Sequence, residues 1–336
     1  MSVLHMELGE RGYDITVERG ALARVGQLLR LDRRVLILTD EGVPAAYAET
    51  VAACCKQPCV VRLESGEQNK CIETYAQILR AMIAAGFDRG DCVVAVGGGV
   101  MGDLAGFVAA TYMRGVDFYN IPTTLLSQID SSIGGKVAVD LDGYKNIVGA
   151  FYQPQAVVID PDVLKTLDDR QLACGMAEAI KIFAIFDAAM FEQVEREGRN
   201  VNIDKVILRA LELKKMVVEQ DERESGLRRV LNFGHTVGHA VERLSGLLHG
   251  ECVALGMLCM SAPCVRERIA KSIAAFGLPT AWQGSAEALR ESVLHDKKAG
   301  GNTVTAIIVD EIGTYRQVKL TAEQIVKQSG EVLELI

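Results

Sequence analysis

The sequence holds no excess of positive charge. Its 36 basic and 44 acidic side chains leave a formal net charge of -8. A nucleic-acid binder needs a basic face, so that class is set aside. An anionic small substrate is not, because a pocket can be locally basic on an acidic molecule. No apolar run reaches the length of a membrane span, and the longest are broken by glycine or charge. The opening MSVLHMELGERGYDI shows no basic stretch followed by an apolar one, so no signal peptide is visible and a cytoplasmic location is expected. The chain also lacks any paired CxxC set. Its nine cysteines, Cys54, Cys55, Cys59, Cys71, Cys92, Cys174, Cys252, Cys259 and Cys264, are odd in number and irregularly spaced. Nothing in them suggests a structural zinc site, and most read as buried thiols in a reducing compartment. Histidine is scarce, at five residues.

Apolar residues are plentiful, at 49%, ample for a substantial core, and a length of 336 residues favours two domains over a single large one. Strand-like and helix-like patterns alternate in the first half. Val3–Leu8 and Tyr13–Val17 suit a hairpin, and Val35–Thr39, Val60–Leu63, Val93–Val96, Phe118–Ile121 and Ala156–Ile159 suit strands. Asn69–Ala85 has helical spacing. This alternation predicts a mostly parallel sheet covered by helices. After Asp160, long helical patterns dominate, at Arg170–Arg196, Lys205–Glu219, His235–Arg243 and Glu251–Ile269, with a small strand pair at 303–309 and 314–320. The expected organisation is an α/β domain over residues 1–160 and a mainly α-helical domain over residues 161–336.

Three features carry chemistry. In CVVAVGGGVMGD, Gly97, Gly99 and Gly102 fit G-x-G-x-x-G between a strand and a helix, the pattern of a dinucleotide pyrophosphate site. Such a turn also serves packing alone, and no acid follows at the usual distance. Asp40, ending an earlier strand, is the candidate for a ribose hydroxyl. Three of the five histidines, His235, His239 and His249, fall close together, the first two sharing a helix face. Two of them with a carboxylate make an open three-ligand metal site. Glu178, inside the apolar GMAEAIKIFAIF, is the best carboxylate, although an ion pair with Lys181 also explains it. Finally, Arg114, Lys136, Lys145, Lys181, Lys214, Arg228 and the Lys297-Lys298 pair lie beside glycines or in apolar context. Singly they read as surface charges. Together they suit a substrate bearing a phosphate and a carboxylate. The acidic group Asp221, Glu222 and Glu224 has no such context and reads as a solvated turn.

The segments GGGVMGDLAGFVAATYMRG, IPTTLLSQIDSSIGGKVAVD, YKNIVGAFYQP, GMAEAIK, DERESGLRRVLNFGHTVGHAVE and LLHGECVALGM resemble, in order, the 3-dehydroquinate synthases of the sugar-phosphate cyclase superfamily. DLDGYKN departs from the more usual proline-containing stretch. The resemblance implies an NAD-binding α/β domain, a helical metal-binding domain and a homodimer. It implies a divalent metal, zinc or else cobalt, on Glu178, His235 and His249. NAD contacts carry over to Asp40, Glu67, Lys70, Gly98, Gly99, Val100, Asp103, Thr123, Thr124, Lys136 and Lys145. Substrate contacts and catalytic groups carry over to Asp130, Lys136, Lys145, Asn146, Lys181, Lys214, Arg228, Asn232, His239 and the pair Lys297 and Lys298. Arg114 resembles an arginine that reaches the neighbouring subunit. The implied substrate is a small phosphorylated sugar acid, with no nucleic-acid or membrane partner. Another NAD-dependent cyclase, or a metal-dependent polyol dehydrogenase, remains open at this point.

Overall fold

A computed structural model describes residues 1–295 and 303–336. The chain divides into two compact units, Met1–Leu167 and Asp168–Ile336.

In the first unit the elements run β1 (Ser2–Met6), β2 (Tyr13–Val17), α1 (Val25–Leu28), β3 (Arg34–Asp40), α2 (Ala45–Ala52), β4 (Gln57–Leu63), α3 (Ile72–Ala84), β5 (Cys92–Gly97), α4 (Gly99–Thr111), β6 (Asp117–Pro122), β7 (Lys136–Leu141), β8 (Tyr144–Phe151) and β9 (Ala156–Ile159). Seven strands form one sheet in the order β1-β2-β9-β6-β5-β3-β4. Only the β1–β2 pair is antiparallel, so the expected hairpin forms the edge of a parallel sheet. Strand alternation sorts β3 and β5 onto two cores. Leu36, Leu38, Val93 and Ala95 join one, and Val35, Ile37, Val94 and Val96 the other. Apolar side chains on both faces explain why these strands read as unbroken hydrophobic runs.

β7 and β8 form a hairpin outside this sheet, which the sequence reading did not anticipate. Leu141 pairs with Tyr144 across Asp142-Gly143, whose φ values of 50° and 78° suit the two-residue turn favoured by Asp-Gly. The departure noted at DLDGYKN is therefore a hairpin tip.

In the second unit the elements run α5 (Asp169–Phe186), α6 (Ala188–Glu197), α7 (Ile203–Gln220), α8 (His235–Leu244), α9 (His249–Cys259), α10 (Pro263–Ala274), β10 (Gln283–Gly284), α11 (Ala286–His295), β11 (Thr303–Ile308), β12 (Arg316–Thr321), α12 (Ala322–Ser329) and β13 (Glu334–Leu335). β11 and β12 are the expected antiparallel pair. Two expected long helices are each divided. Asp187 ends α5, and its carboxylate caps α6 by accepting from the Met190 amide at 2.9 Å. Pro263 stands in the first turn of α10, where a missing N–H costs nothing.

All nine cysteines are free. Cys92, Cys174, Cys252 and Cys259 are buried and Cys264 is exposed. No helix among the described residues is long and apolar enough to cross a membrane.

Candidate functional site

In the first unit, the chain reverses its direction of winding between β3 and β5. From β3 it moves outward to β4, and from β5 it moves the other way to β6. Ligands of open parallel sheets gather beyond the strand ends at such a reversal. Asp40 ends β3, Gly97 ends β5, and Thr123 and Thr124 follow β6. Gly98 precedes α4 and, having no side chain, caps none of the first amides of that helix, which carry no partner within the helix itself. That is the donor set an anion takes up. Close side chains favour glycine at both positions. A Cβ on Gly97 would stand 2.5 Å from Met101 Cγ, and one on Gly98 would stand 3.0 Å from Thr124 Cγ2. These features fit a dinucleotide.

Lys70 is buried here, with its Nζ 2.8 Å from Glu67 and 3.3 Å from Asp103. Burial opposes its charge, but these carboxylates outweigh it and hold the pKa above the ordinary lysine value. The Lys70 carbonyl accepts from the Asp140 amide at 2.8 Å, and Asp140 Oδ1 accepts from the Asn146 amide at 2.7 Å. The hairpin that carries Lys136, Lys145 and Asn146 is thereby tied to the Glu67–Lys70 segment. Asp130 lies in a π-helical turn at Ser127–Ser131, and Val100 is the second residue of α4. Arg114 is exposed, in a turn with φ of 73°.

In the second unit, α5, α8 and α9 bring four groups together. His235 and His239 lie four apart on α8, their rings 5.1 Å apart, and His249 begins α9 with its ring 5.2 Å from that of His235. Ligand atoms of the three histidines lie within 4.8 Å of one another. Glu178, on α5, is 3% exposed, and its Oε1 is 3.7 Å from His235 Nε2 and 3.4 Å from His249 Nε2. Its Oε2 meets Lys181 Nζ at 2.5 Å. Both accounts of Glu178 therefore hold at once: one oxygen serves the lysine, the other faces the imidazoles.

Burial works to raise the Glu178 pKa, but Lys181 and the two imidazoles outweigh it and keep the carboxyl well below its usual range. His235 is pushed below the ordinary imidazole value, first by burial and then by Lys181, which leaves it neutral. Burial also opposes charge on His249, yet Glu178 and Glu242 prevail and push it up to about 9. Glu178 Oε2 is engaged by Lys181, while Oε1 makes no well-formed hydrogen bond among the described residues. An ionised, buried carboxylate in that condition, facing imidazole nitrogens, fits a divalent cation.

Two supports went unread in the sequence. Arg170 on α5 grips Glu251 on α9 through Nε at 2.6 Å and Nη2 at 2.7 Å, and Glu251 also accepts from the Leu248 amide at 2.7 Å. This clamp fixes the start of α9, where His249 sits, to the helix carrying Glu178. The helices also touch backbone to backbone: a Cβ on Gly256 would collide with the Gly234 carbonyl oxygen, and one on Gly250 with Cys174 Cα.

The acidic segment corrects the expectation of a solvated turn. Asp221 is buried and accepts from the amides of Ser225, Gly226 and Arg228 at 2.7–3.0 Å, and from the Ser225 hydroxyl. Burial would raise its pKa, but these donors hold it well below the usual range. Arg228 Nη1 donates to the Glu222 carbonyl at 2.6 Å, and Asn232 Nδ2 donates to Glu224 at 2.8 Å. The segment therefore shapes the turn that presents Arg228 and Asn232. Replacing Asp221 by Ala is expected to lower kcat/KM by roughly 100-fold through misplacement of Arg228, while metal content stays at the parent level. Steady-state kinetics with metal analysis check it, and an unchanged kcat/KM would remove the segment from the site. Lys181, Lys214 and Arg228 are all buried, against the reading of each as a surface charge. Lys297 and Lys298 lie outside the described residues.

Comparison with known proteins gives a consistent picture. The family model "3-dehydroquinate synthase N-terminal" matches residues 60–174, and "3-dehydroquinate synthase C-terminal" matches residues 175–299. A 3-dehydroquinate synthase from Pelobacter propionicus is 43% identical, over 98% of this chain and 99% of its own length. Among solved structures, a 2-deoxy-scyllo-inosose synthase complexed with carbaglucose-6-phosphate, NAD+ and Co2+ superposes with a TM-score of 0.88 at 25% identity, covering 99% of this chain and all of its own. The 2-epi-5-epi-valiolone synthase of Streptomyces hygroscopicus, with NAD+ and Zn2+ bound, gives a TM-score of 0.86 at 27% identity, over 95% of this chain and 96% of its own.

Proposed function

This chain belongs to the 3-dehydroquinate synthase family, and we propose on that basis that it converts 3-deoxy-D-arabino-heptulosonate 7-phosphate to 3-dehydroquinate and phosphate, a step toward aromatic amino acids. The observation that carries the reading is the ionised, buried Glu178 facing His235 and His249, in a chain that also holds the uncapped glycine turn. Bound NAD would supply a hydride acceptor, and a divalent metal, zinc or else cobalt, would polarise a substrate oxygen.

In this reading Glu178, His235 and His249 hold the metal. Asp40, Glu67, Lys70, Gly98, Gly99, Val100, Asp103, Thr123 and Thr124 hold NAD, with Lys136 and Lys145 reaching both cofactor and substrate. Lys181, Lys214 and Arg228 are buried cations, which a low-dielectric setting makes strong anchors for the substrate's phosphate and carboxylate. Asp130, Asn146, Asn232, Lys297 and Lys298 complete the substrate contacts, and His239, beside both ligand histidines, is placed to pass a proton to or from the phosphate. The protein would act as a homodimer in the cytoplasm, with Arg114 reaching the second copy.

The test is redox bookkeeping. With excess substrate and catalytic NAD, phosphate release is expected over many turnovers per NAD, with free NADH near baseline. A polyol dehydrogenase would consume one NAD per product. NADH rising in step with product would overturn the synthase reading and leave the metal and NAD sites standing.

A further inference from the structure

We infer that Glu242 is a positioning residue for His249, fixing which imidazole nitrogen is offered to the metal; this rests on the reading of Glu178, His235 and His249 as ligands. The two ligand histidines solve the same problem in different ways. In each, Nε2 is the nitrogen facing Glu178 Oε1, at 3.7 Å for His235 and 3.4 Å for His249. An imidazole ligates through a nitrogen that carries no proton, so the proton must be held on Nδ1. For His235 the holder is the main chain: Nδ1 lies 3.2 Å from the Phe233 carbonyl oxygen, which only accepts. For His249 it is a side chain: Nδ1 lies 3.3 Å from Glu242 Oε2, and an ionised carboxylate likewise only accepts.

Glu242 is placed for this by helix geometry. It lies seven residues after His235 and three after His239 on α8, hence on the face those rings share. From there it reaches across to the first residue of α9. Its side chain is 12% exposed. The tether has more to do at His249 than one would at His235. The His249 side chain is 34% exposed and that of His235 13%, so packing restrains the His249 ring less. Without Glu242, that ring can turn and offer the wrong nitrogen. A carboxylate behind a ligating histidine also raises its basicity and fixes its plane.

The test uses the full-length protein and two probe ions. Zn2+ affinity is measured by competition with a chromophoric chelator, and the Co2+-substituted protein is read by visible absorption. Glu242→Ala is expected to weaken Zn2+ binding by about 10–100-fold and to alter the Co2+ spectrum. Glu242→Gln keeps an oxygen that can accept from Nδ1–H, so its Co2+ spectrum should resemble the parent's with a smaller loss of affinity. If Ala prevents folding, Glu242→Met, of similar length and without an acceptor oxygen, is compared with Gln instead. His249→Ala separates this inference from the reading beneath it. Should His249→Ala lose the metal while the acceptor-free Glu242 variant binds Zn2+ as tightly as the parent, with the same Co2+ spectrum, the positioning role is wrong and the ligand set stands. Should His249→Ala keep full metal, the ligand set itself falls.

Discussion

Glu178→Gln, His235→Ala and His249→Ala are each expected to abolish turnover and to release metal, but they should differ in stability. The loss of a Lewis acid removes about 4 kcal/mol of transition-state stabilisation, roughly a thousand-fold or more in kcat. Three protein ligands in an open site leave no spare donor, so each variant should also show lower metal content. Glu178→Gln carries a further penalty. It leaves Lys181, whose side chain is 4% exposed, without the carboxylate 2.5 Å away. Breaking a buried pair by removing one partner costs about 3–5 kcal/mol. Its unfolding midpoint should therefore fall well below that of His249→Ala, whose ring is partly exposed. Metal analysis and denaturant titration decide it. Activity and metal retained in all three would remove these residues from the site, and equal stability would mean that Lys181 is satisfied by other groups.

Gly256→Ala should do nearly as much damage from a position with no chemistry of its own. A methyl there meets the backbone oxygen of Gly234, which has φ of 79° and immediately precedes His235. A flexible side chain could swing away from such a methyl, but a carbonyl that begins a helix cannot without moving the helix. Overpacking of this kind costs about 1–3 kcal/mol and occasionally more. The larger effect should be on the metal site, because relief requires α8 and α9 to separate, and they carry His235 and His249. The expected result is a lower unfolding midpoint together with weakened Zn2+ binding. Parent-like values for both would mean that the helices can part without disturbing the ligands.

The sheet was legible because β3, β5, β6 and β9 are short runs of buried β-branched and apolar residues, and that pattern survives in any tertiary setting. The histidine site was legible because scarce residues cluster. The breaks at Asp187 and Pro263 were signalled by ordinary capping residues, but helical periodicity on both sides masked them. The β7–β8 hairpin was not legible although Asp142-Gly143 marks it, because β8 is largely exposed and lacks the buried apolar run of the sheet strands. Asp221 was misread because its value comes from three backbone amides that curl back on it, and composition does not show that. Glu242 and Glu251 look like ordinary helix-surface acids. Only the crossing of α5, α8 and α9 turns one toward His249 and the other toward Arg170.

Arg170 and Glu251 are 81 positions apart in the chain. Glu178 and His249 thus sit on segments separated along the chain by α6, α7 and α8. Closing so long a loop adds little to the equilibrium cost, since each doubling of length adds about 0.6 kcal/mol. It weighs more on the order of events, because distant contacts reward the chain only after the entropy of closure has been spent. Glu178, His235 and His249 are accordingly expected to meet late in folding. A peptide spanning NFGHTVGHA would carry two of the histidines, yet it would hold neither the carboxylate nor the tethered third ring.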